Sequence, residues 1–575
     1  MNPARNAGHA FAMVIVDELV GHGMTDAVLA PGSRSTPIAL ALLADDRVRV
    51  HVRIDERSAA YLALGIARIT GRVVPVLCTS GTAGTHFHGA VMEADLSRVP
   101  LLAMTADRPP SLRGTGANQT VDQVELFGTA VRRSRDAPLP VAEPGAVRAW
   151  RQLAADAAAH CLGTGVGWVP GPVHLNLPLD EPLLPVDDGV GFPYDLGAHD
   201  ASASTPSIQD AVSLDLPRAL HGVRRGVVVC GDCPPGMADA ALAFAERARW
   251  PLIAEPHSNA RRGPMALRAT DAVLADPQFL AGARADLAVV VGRVGLSRAL
   301  LGWLAETPHV VVDPYGSPWD VTRTARAVVT ASAQSLASAS VAPADEVWVA
   351  RWRAAADAAG DAFDAVLEKS AALSEPLVAR EVAALVTADT ALVVSSSMPI
   401  RDLDAVMRPR PLRIVANRGV SGIDGFVSTA QGVALGHPGP TVALCGDLSL
   451  LHDVNGLLPG PDARPDLTYV VINNDGGGIF SLLPQGTGVE PAQFEQAFGT
   501  PHGMVLADVA SAYQVGYHLV STVEDLRVAL TQPPGGVRIV EVRTDRHENA
   551  ALHEELRRAA ATAVAGLRLE FPLPT

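Results

Sequence analysis

Short runs of Val, Ile, Leu and Ala alternate along this chain with longer stretches in which Ala and Leu recur at helical spacing, and polar residues close each run. A continuous β-branched run bounded by turn residues reads as a strand buried on both faces. Its alternation with helical stretches marks a parallel sheet with crossover helices. The first third offers VLAP, VRVHVRI, VVPVLCTS and PLLAMTA, and the middle offers GVVVCG, PLIAEP, LAVVVG and HVVVDP. The last third offers ALVVSSS, RIVANRG, TVALCGD, TYVVINND and RIVEVRT. Two stretches interrupt the rhythm. Residues 178–207 are rich in Pro, Gly, Asp and Ser and read as a linker, and residues 330–347 read as a softer one before an Ala-rich helix. The pattern predicts an α/β chain of three doubly wound parallel-sheet domains, bounded at 1–187, 205–345 and 370–575.

In doubly wound sheets ligands sit beyond the carboxyl ends of the strands. In the first segment those ends carry Ser33-Arg34, Asp55-Glu56-Arg57, Thr79-Ser80-Gly81-Thr82 and Asp107-Arg108. In the last they carry Ser395-Ser396-Ser397, Asn417-Arg418-Gly419, Gly446-Asp447 and Asn473-Asn474-Asp475-Gly476-Gly477-Gly478. The middle segment offers chiefly Gly292-Arg293 and Arg298. One polar turn means little, because such turns are generally polar. Charged residues repeated at the same end of two sheets predict a site.

Composition narrows the chemistry. A chain of 575 residues exceeds what one core holds. A hydrophobic content of 48% fits packed interiors, and no uncharged apolar run is long enough to span a bilayer. The opening MNPARNAGHAFAMVIVDELV reads as a capped amphipathic helix without the layout of a secretory signal, so the expected compartment is the cytoplasm. A net charge of −15 speaks against a nucleic-acid partner. The five cysteines are odd in number and scattered, which argues against a disulfide framework. The CxxC of Cys230 and Cys233 reads as a strand running into a turn, since no second pair completes four zinc ligands. His86 and His88 likewise lack a third ligand and read as helix packing. Of the 46 Lys+Arg residues only Lys369 is lysine, on an expected surface helix. With no G-x-x-x-x-G-K-[ST], P-loop chemistry is excluded. Anion binding falls to arginine, whose planar fork suits two-point recognition of carboxylates.

TVALCGDLSL poses the sharpest question, because an apolar strand there delivers a bare carboxylate, Asp447. A buried ion needs a partner, and no basic residue lies nearby in sequence. Asn474 ends the next predicted strand. With the carbonyl of Gly476 it would give Asp447 the company of two more hard oxygens, the donors Mg²⁺ takes alongside waters and phosphate. Ser449 is expected to cap a helix starting near Leu450, whose N-terminus favours an anion. A metal ion carrying a diphosphate fits this set.

Gly446-Asp447 followed by Asn473-Asn474 at the ends of two strands resembles the motif of the thiamine-diphosphate enzymes, although Leu448 stands where the general pattern has glycine. Within that superfamily the chain resembles the 2-succinyl-5-enolpyruvyl-6-hydroxy-3-cyclohexene-1-carboxylate synthases of menaquinone biosynthesis. The likeness is carried by APGSRSTPIALAL, IDERSAAYLALG, CTSGTAGTHFHGAVMEA, GANQTVDQ, SSSMPIRDLD, ANRGVSGIDGF, GDLSLLHDVNGL and NNDGGGIFSLLP. The resemblance implies thiamine diphosphate with Mg²⁺, or Mn²⁺ in its place, held by Asp447, Asn474 and Gly476. It implies cofactor contacts from Ser80, Thr82, Ile423, Gly446, Leu448, Ser449, Gly477 and Ile479. Glu56, otherwise a first-turn glutamate answering a helix dipole, takes by resemblance the role of the acid on the aminopyrimidine ring. The implied reaction joins 2-oxoglutarate, after loss of carbon dioxide, to isochorismate. By resemblance Ser397 and Arg401 receive the distal carboxylate of the succinyl unit. Ser33, Arg34, Arg108, Asn118, Gln119, Arg298 and Arg418 surround isochorismate, and Phe480 walls the pocket. Ser297 precedes Arg298 where the family leads one to expect lysine. The family also implies a homodimer or homotetramer with active sites at the subunit interface. The nearest alternative is another thiamine-diphosphate decarboxylase or carboligase, but GTGANQT lacks the His-His pair such decarboxylases carry.

Overall fold

Seventeen strands form three sheets in a computed structural model that describes residues 4–165, 167–186, 192–199, 215–369, 372–460, 464–533 and 535–567. The first sheet holds β1 (Asp26–Leu29), β2 (Arg49–Val52), β3 (Val74–Cys78), β4 (Leu101–Asp107), β5 (Arg133–Asp136) and β6 (Val173–Pro178) in the order β2-β1-β3-β4-β6-β5, all parallel. The second holds β7 (Gly226–Cys230), β8 (Leu252–Ala254), β9 (Leu287–Val291), β10 (His309–Asp313) and β11 (Ala327–Thr330) in the parallel order β11-β10-β9-β7-β8. The third holds β12 (Ala391–Val394), β13 (Arg413–Val415), β14 (Thr441–Gly446), β15 (Leu467–Asn473), β16 (Gly516–Val520) and β17 (Val537–Arg543) in the order β13-β12-β14-β15-β17-β16. The winding of the first sheet is thus repeated strand for strand in the third.

Each apolar run became a strand, and four strands went unread: β5, β6, β11 and β16. Three of them are sheet edges, and in β5 the polar RSRD replaces the β-branched run, while β11 is only the four residues AVVT. The fourth, β6, is buried throughout, but His174 and Asn176 break its apolar pattern.

The chain divides into two compact units. One comprises Met1–Gln209, Asn417–Pro438 and Ser449–Leu467; the other comprises Asp210–Ala416, Gly439–Leu448 and Thr468–Thr575. In the first unit, one face of the first sheet is covered by the helices Ala7–Gly21 and Ala146–Leu162, with Phe11 edge-on to Trp150 at 5.5 Å. The opening helix is capped by Asn6 as its sequence suggests, yet it is buried along most of its length rather than on one stripe. The other face carries the helices Glu56–Thr70 and His88–Ser97. The helix Phe426–Gly436 lies close against Glu56–Thr70. A Cβ on Gly65 would fall 2.2 Å from the Thr429 carbonyl oxygen, and one on Gly432 would fall 2.1 Å from that of Leu62, so only glycine permits this approach.

In the second unit one apolar core runs through both sheets. Residues 330–347 are not a free linker. They hold the helix Ala333–Ser338, and Leu336, Ala339 and Ala344 join that core. Of the linker read over 178–207, residues 187–191 and 200–207 lie outside the described residues. Lys369 is exposed beside Glu555 at 3.4 Å, a surface residue as expected. Cys230 and Cys233 are free thiols where β7 enters a turn. Among the described residues no helix is long and apolar enough to cross a membrane.

Candidate active site

Each unit gathers part of the predicted set at the carboxyl edge of its sheet. In the first, Glu56 opens the helix Glu56–Thr70, and Asp55 caps it by accepting from the Ser58 N–H at 3.1 Å. That start is clasped by the stretch after Ser449. Asn455 Nδ2 donates to Asp55 at 2.9 Å, Arg57 to the His452 carbonyl at 2.9 Å, and Ser58 Oγ to Asp453 at 3.3 Å. Asp453 is wholly buried, and burial pushes its carboxyl up to about 6. Glu56 is half-buried, and its charge adds to the upward push that burial gives the Cys78 thiol. Among the described residues no hydrogen bond or ion pair reaches its carboxylate.

Beyond β3, Ser80 and Gln119 exchange hydrogen bonds. Ser80 Oγ donates to the Gln119 carbonyl at 3.1 Å, and Gln119 Nε2 donates to that of Ser80 at 2.9 Å. Gly81 sits at φ +88°, where a Cβ would meet Gln119 Cγ at 2.8 Å, and its N–H donates to Gln123 Oε1 at 2.8 Å. Gln123 in turn donates to Asn176 Oδ1 at 3.0 Å, an oxygen that also accepts from Thr105 Oγ1 at 2.9 Å. The loop therefore rests on a buried polar frame spanning β4 and β6. Ser33, Thr82 and Asn118 are exposed along the same edge.

Arg34 is 6% exposed, donates to the Leu179 carbonyl at 3.0 Å, and is held below its usual pKa by burial and then by Arg108. Nε of both arginines is buried with no hydrogen-bond partner among the described residues. Two neighbouring guanidinium groups with donors to spare are suited to an anion. Arg418 lies in a loop fixed by the buried Glu93, whose two oxygens accept the N–H groups of Gly419 and Val420 at 2.7 Å each. Ile423 is half-buried in the stretch that follows.

On the third sheet, β14 ends at Gly446 and the next helix begins at Asp447, so Ser449 lies inside its first turn and does not cap it from outside. Asp447 is 2% exposed, and burial raises its carboxyl above the ordinary range. Against that burial, Oδ1 accepts the Leu448 N–H at 2.7 Å, and Oδ2 accepts the Gly476 N–H at 2.9 Å and meets His502 Nε2 at 3.1 Å. His502, 55 residues further along the chain, is a partner that no nearby residue in the sequence announced. Gly476 has φ +139°, and a Cβ there would collide with the Gly499 carbonyl at 1.9 Å. The Gly477 N–H donates to that same carbonyl at 2.8 Å. Ile479 and Phe480 follow, half-buried, with the Phe480 ring 5.5 Å from that of Phe498.

Beyond β12, Ser397 adopts φ +76° and ψ −133°, a conformation costing a non-glycine residue on the order of 1–3 kcal/mol. Its carbonyl accepts from Arg401 at 2.7 Å. Burial, and then Arg298, lower the pKa of Arg401, so the two predicted arginines are electrostatic neighbours. Ser297, in the place expected of lysine, caps the helix Arg298–Glu306 by accepting the Leu300 N–H at 3.0 Å and hydrogen bonds to Asp271.

A divalent cation fits the second set. Asn474 Oδ1 is buried and has no hydrogen-bond partner among the described residues, so it can be offered to a Lewis acid, as can the buried carboxylate of Asp447. All the donors are hard oxygens, as Mg²⁺ requires.

Comparison with known proteins gives this arrangement a lineage. Residues 9–126 match the family described as "Thiamine pyrophosphate enzyme, N-terminal TPP binding domain", and residues 213–394 match "Middle domain of thiamine pyrophosphate". The 2-succinyl-5-enolpyruvyl-6-hydroxy-3-cyclohexene-1-carboxylate synthase of Thermobifida fusca (strain YX) is 50% identical over 98% of this chain and 100% of its own length. The proteins of that name from Saccharopolyspora erythraea and Bacillus velezensis are 43% and 37% identical, over 98% and 96% of this chain and 100% and 97% of their own. The chain belongs to the 2-succinyl-5-enolpyruvyl-6-hydroxy-3-cyclohexene-1-carboxylate synthase family. Among solved structures, benzoylformate decarboxylase from Polynucleobacter necessarius shares the fold at a TM-score of 0.67 and 17% identity, covering 94% of this chain and 99% of that one.

Three residues of this synthase-family chain escaped the sequence reading although they touch its candidate site: Glu93, Glu375 and His502. Glu93 had a signal, a carboxylate among the buried Ala90, Val91 and Ala94 of its helix. His502 and Glu375 had none, because each meets its partner only through the fold.

Proposed function

We propose that this protein makes 2-succinyl-5-enolpyruvyl-6-hydroxy-3-cyclohexene-1-carboxylate for menaquinone biosynthesis, by decarboxylating 2-oxoglutarate and adding the succinyl unit to isochorismate. The carrying observation is the 50% identity, end to end, with a relative of that name. Thiamine diphosphate, when bound, supplies an electron sink for the pair left by loss of carbon dioxide from a 2-oxo acid.

In this reading Asp447, Asn474 and the Gly476 carbonyl hold Mg²⁺ or Mn²⁺, supported by the unpartnered Asn474 oxygen. Gly446, Leu448, Ser449, Gly477 and Ile479 bind the diphosphate end, and Ser80, Thr82 and Ile423 the rest of the cofactor. Glu56 exchanges a proton with the aminopyrimidine ring through its unpaired carboxylate, the step for which a positioned acid is needed. Ser397 and Arg401 receive the distal carboxylate of 2-oxoglutarate. Both substrates are dicarboxylates, and Arg34, Arg108, Arg298 and Arg418 answer isochorismate together with Ser33, Asn118 and Gln119, while Phe480 walls the pocket. Residues 1–187 then form an aminopyrimidine-binding domain, 205–345 a central domain and 370–575 a diphosphate- and metal-binding domain. The chain works as a homodimer or homotetramer with active sites at the subunit interface. Ile54, an isoleucine 71% exposed two positions before Glu56, supports that reading.

The test supplies 2-oxoglutarate, isochorismate, thiamine diphosphate and Mg²⁺ and follows carbon dioxide and product, omitting each component in turn. Product formation that needs all four is expected. Carbon dioxide release indifferent to isochorismate, with no new product, would leave a simple decarboxylase instead.

A further inference from the structure

The buried carboxylate of Glu375 has no part in the chemistry described so far, and keeping it buried is costly. Glu375 is 1% exposed, as the first residue of the helix Glu375–Leu385, and its pKa is raised by burial and then by the nearby, wholly buried Asp402. Taking two carboxylates out of water costs several kcal/mol each, even after relaxation. His553, 3.0 Å from Asp402, offsets part of that cost. Apolar residues would fill this volume more cheaply, so what Glu375 touches matters.

It touches Asn474. Asn474 Nδ2 donates to Glu375 Oε1 at 2.8 Å, and Thr544 Oγ1 donates to the same oxygen at 3.3 Å. Arg546 holds the backbone nearby, donating to the carbonyls of Asn474 at 3.3 Å and Asp475 at 2.6 Å. Gly478 leaves room for the amide, since a Cβ there would fall 2.6 Å from Asn474 Nδ2. A carboxylate oxygen facing an amide selects its NH₂ end, because only that end donates. The amide is planar, so fixing its nitrogen fixes its oxygen. Asn474 Oδ1 is left buried and without a hydrogen-bond partner among the described residues.

We infer that Glu375 is a positioning residue for the divalent cation: by accepting from Asn474 Nδ2, it turns the amide oxygen toward the metal and prevents the flipped amide from presenting NH₂ there. This inference rests on the proposed metal-binding role of Asn474. Removing such an outer partner costs metal ligands about 10–100-fold in affinity.

The experiment measures Mn²⁺ affinity of the full chain, with saturating thiamine diphosphate, by electron paramagnetic resonance of free Mn²⁺, and checks each variant's thermal midpoint. Glu375→Met should weaken Mn²⁺ binding about 10–100-fold. Glu375→Gln, whose amide oxygen still accepts, should restore it to near the wild-type value. A second pair does not depend on a methionine variant that folds. Asn474→Asp sets two carboxylates face to face and should weaken binding although it adds a charged ligand. Asn474→Asp with Glu375→Gln, which exchanges donor and acceptor, should regain it. Unchanged affinity in Glu375→Met, or an Asn474→Asp variant that binds as tightly as wild type without the second change, would overturn the inference. Failure of the wild type to bind Mn²⁺ at all would instead overturn the metal site itself.

Discussion

The first and third sheets are wound alike and finished differently. Both run in the order second, first, third, fourth, sixth, fifth strand, and in both a polar brace ties the fourth, fifth and sixth strands together. In the first sheet Thr105 of β4 meets His174 and Asn176 of β6, and Ser134 of β5 meets His174 at 3.1 Å. In the third, Asn473 of β15 donates to Glu541 of β17 at 2.8 Å, and Tyr517 of β16 donates to the same carboxylate. Each brace lies beneath the loop that carries candidate site residues, Ser80 and Gly81 in one case and Asn474 to Gly477 in the other. The frame is shared. What differs is charge at the strand ends: on the first sheet Arg34, Arg108 and a glutamate whose carboxylate has no hydrogen-bond or ion-pair partner among the described residues, on the third the oxygens of Asp447 and Asn474 with glycine beside them, as well as Arg401 and Arg418. In the proposed reading, one winding supplied with different end residues offers the acid in one copy and the cation cradle in the other, with arginines for anions at both.

The largest effect that separates the two ends should come from Asp447→Asn. It removes the anionic ligand, so saturation by thiamine diphosphate with Mg²⁺ should disappear in calorimetry, and turnover should fall beyond the loss seen for any first-sheet variant. Glu56→Gln should lower turnover by about 10²–10⁴-fold, the usual worth of a positioned proton donor or acceptor, while the cofactor still binds. If both variants lose cofactor equally, the division of labour between the sheets is wrong.

The brace of the first sheet makes a prediction in pH. Burial lowers the His174 pKa from 6.5 to about 4. A depressed histidine pKa means that the unfolded chain binds the proton more readily. The neutral ring's contribution is therefore present above pH 6.5 and is lost as pH falls toward 4, by at most ~3 kcal/mol. Urea midpoints across that window should show a smaller fall in His174→Gln than in wild type; identical slopes would contradict the buried, neutral ring. The brace of the third sheet has no histidine at the matching place, so this limb belongs to the first sheet alone.

Arg401→Ala tests the finer contrast between the arginines. A charge-assisted hydrogen bond is worth about 1.5–3 kcal/mol, so kcat/KM for 2-oxoglutarate should drop roughly 10–150-fold with little change in the KM for isochorismate. An equal drop for both substrates would place Arg401 elsewhere in the reaction.

How far the sequence could be read follows from the same comparison. Strands whose two neighbours bury them announce themselves as apolar runs, and Gly446-Asp447 and Asn473-Asn474 sit where those runs stop. Edge strands such as β5 and β16 carry polar residues in place of such a run, and they were missed. The helix that Ser449 is expected to cap starts three residues before Leu450, at Asp447 itself, a boundary that depends on hydrogen bonds and not on composition. Contacts made only by folding were invisible. His502 lies 55 residues from Asp447 and Glu375 lies 99 from Asn474, so no local pattern links them.

The central claim is that the carboxyl edge of the third sheet holds a divalent ion. Crystals grown with thiamine diphosphate and Mn²⁺, measured at the manganese absorption edge, test it most directly. The account predicts one strong anomalous peak within about 2.0–2.6 Å of an Asp447 carboxylate oxygen, Asn474 Oδ1 and the Gly476 carbonyl oxygen, the span of hard-cation ligand distances. A bound coenzyme with its anomalous peak on other side chains would contradict it.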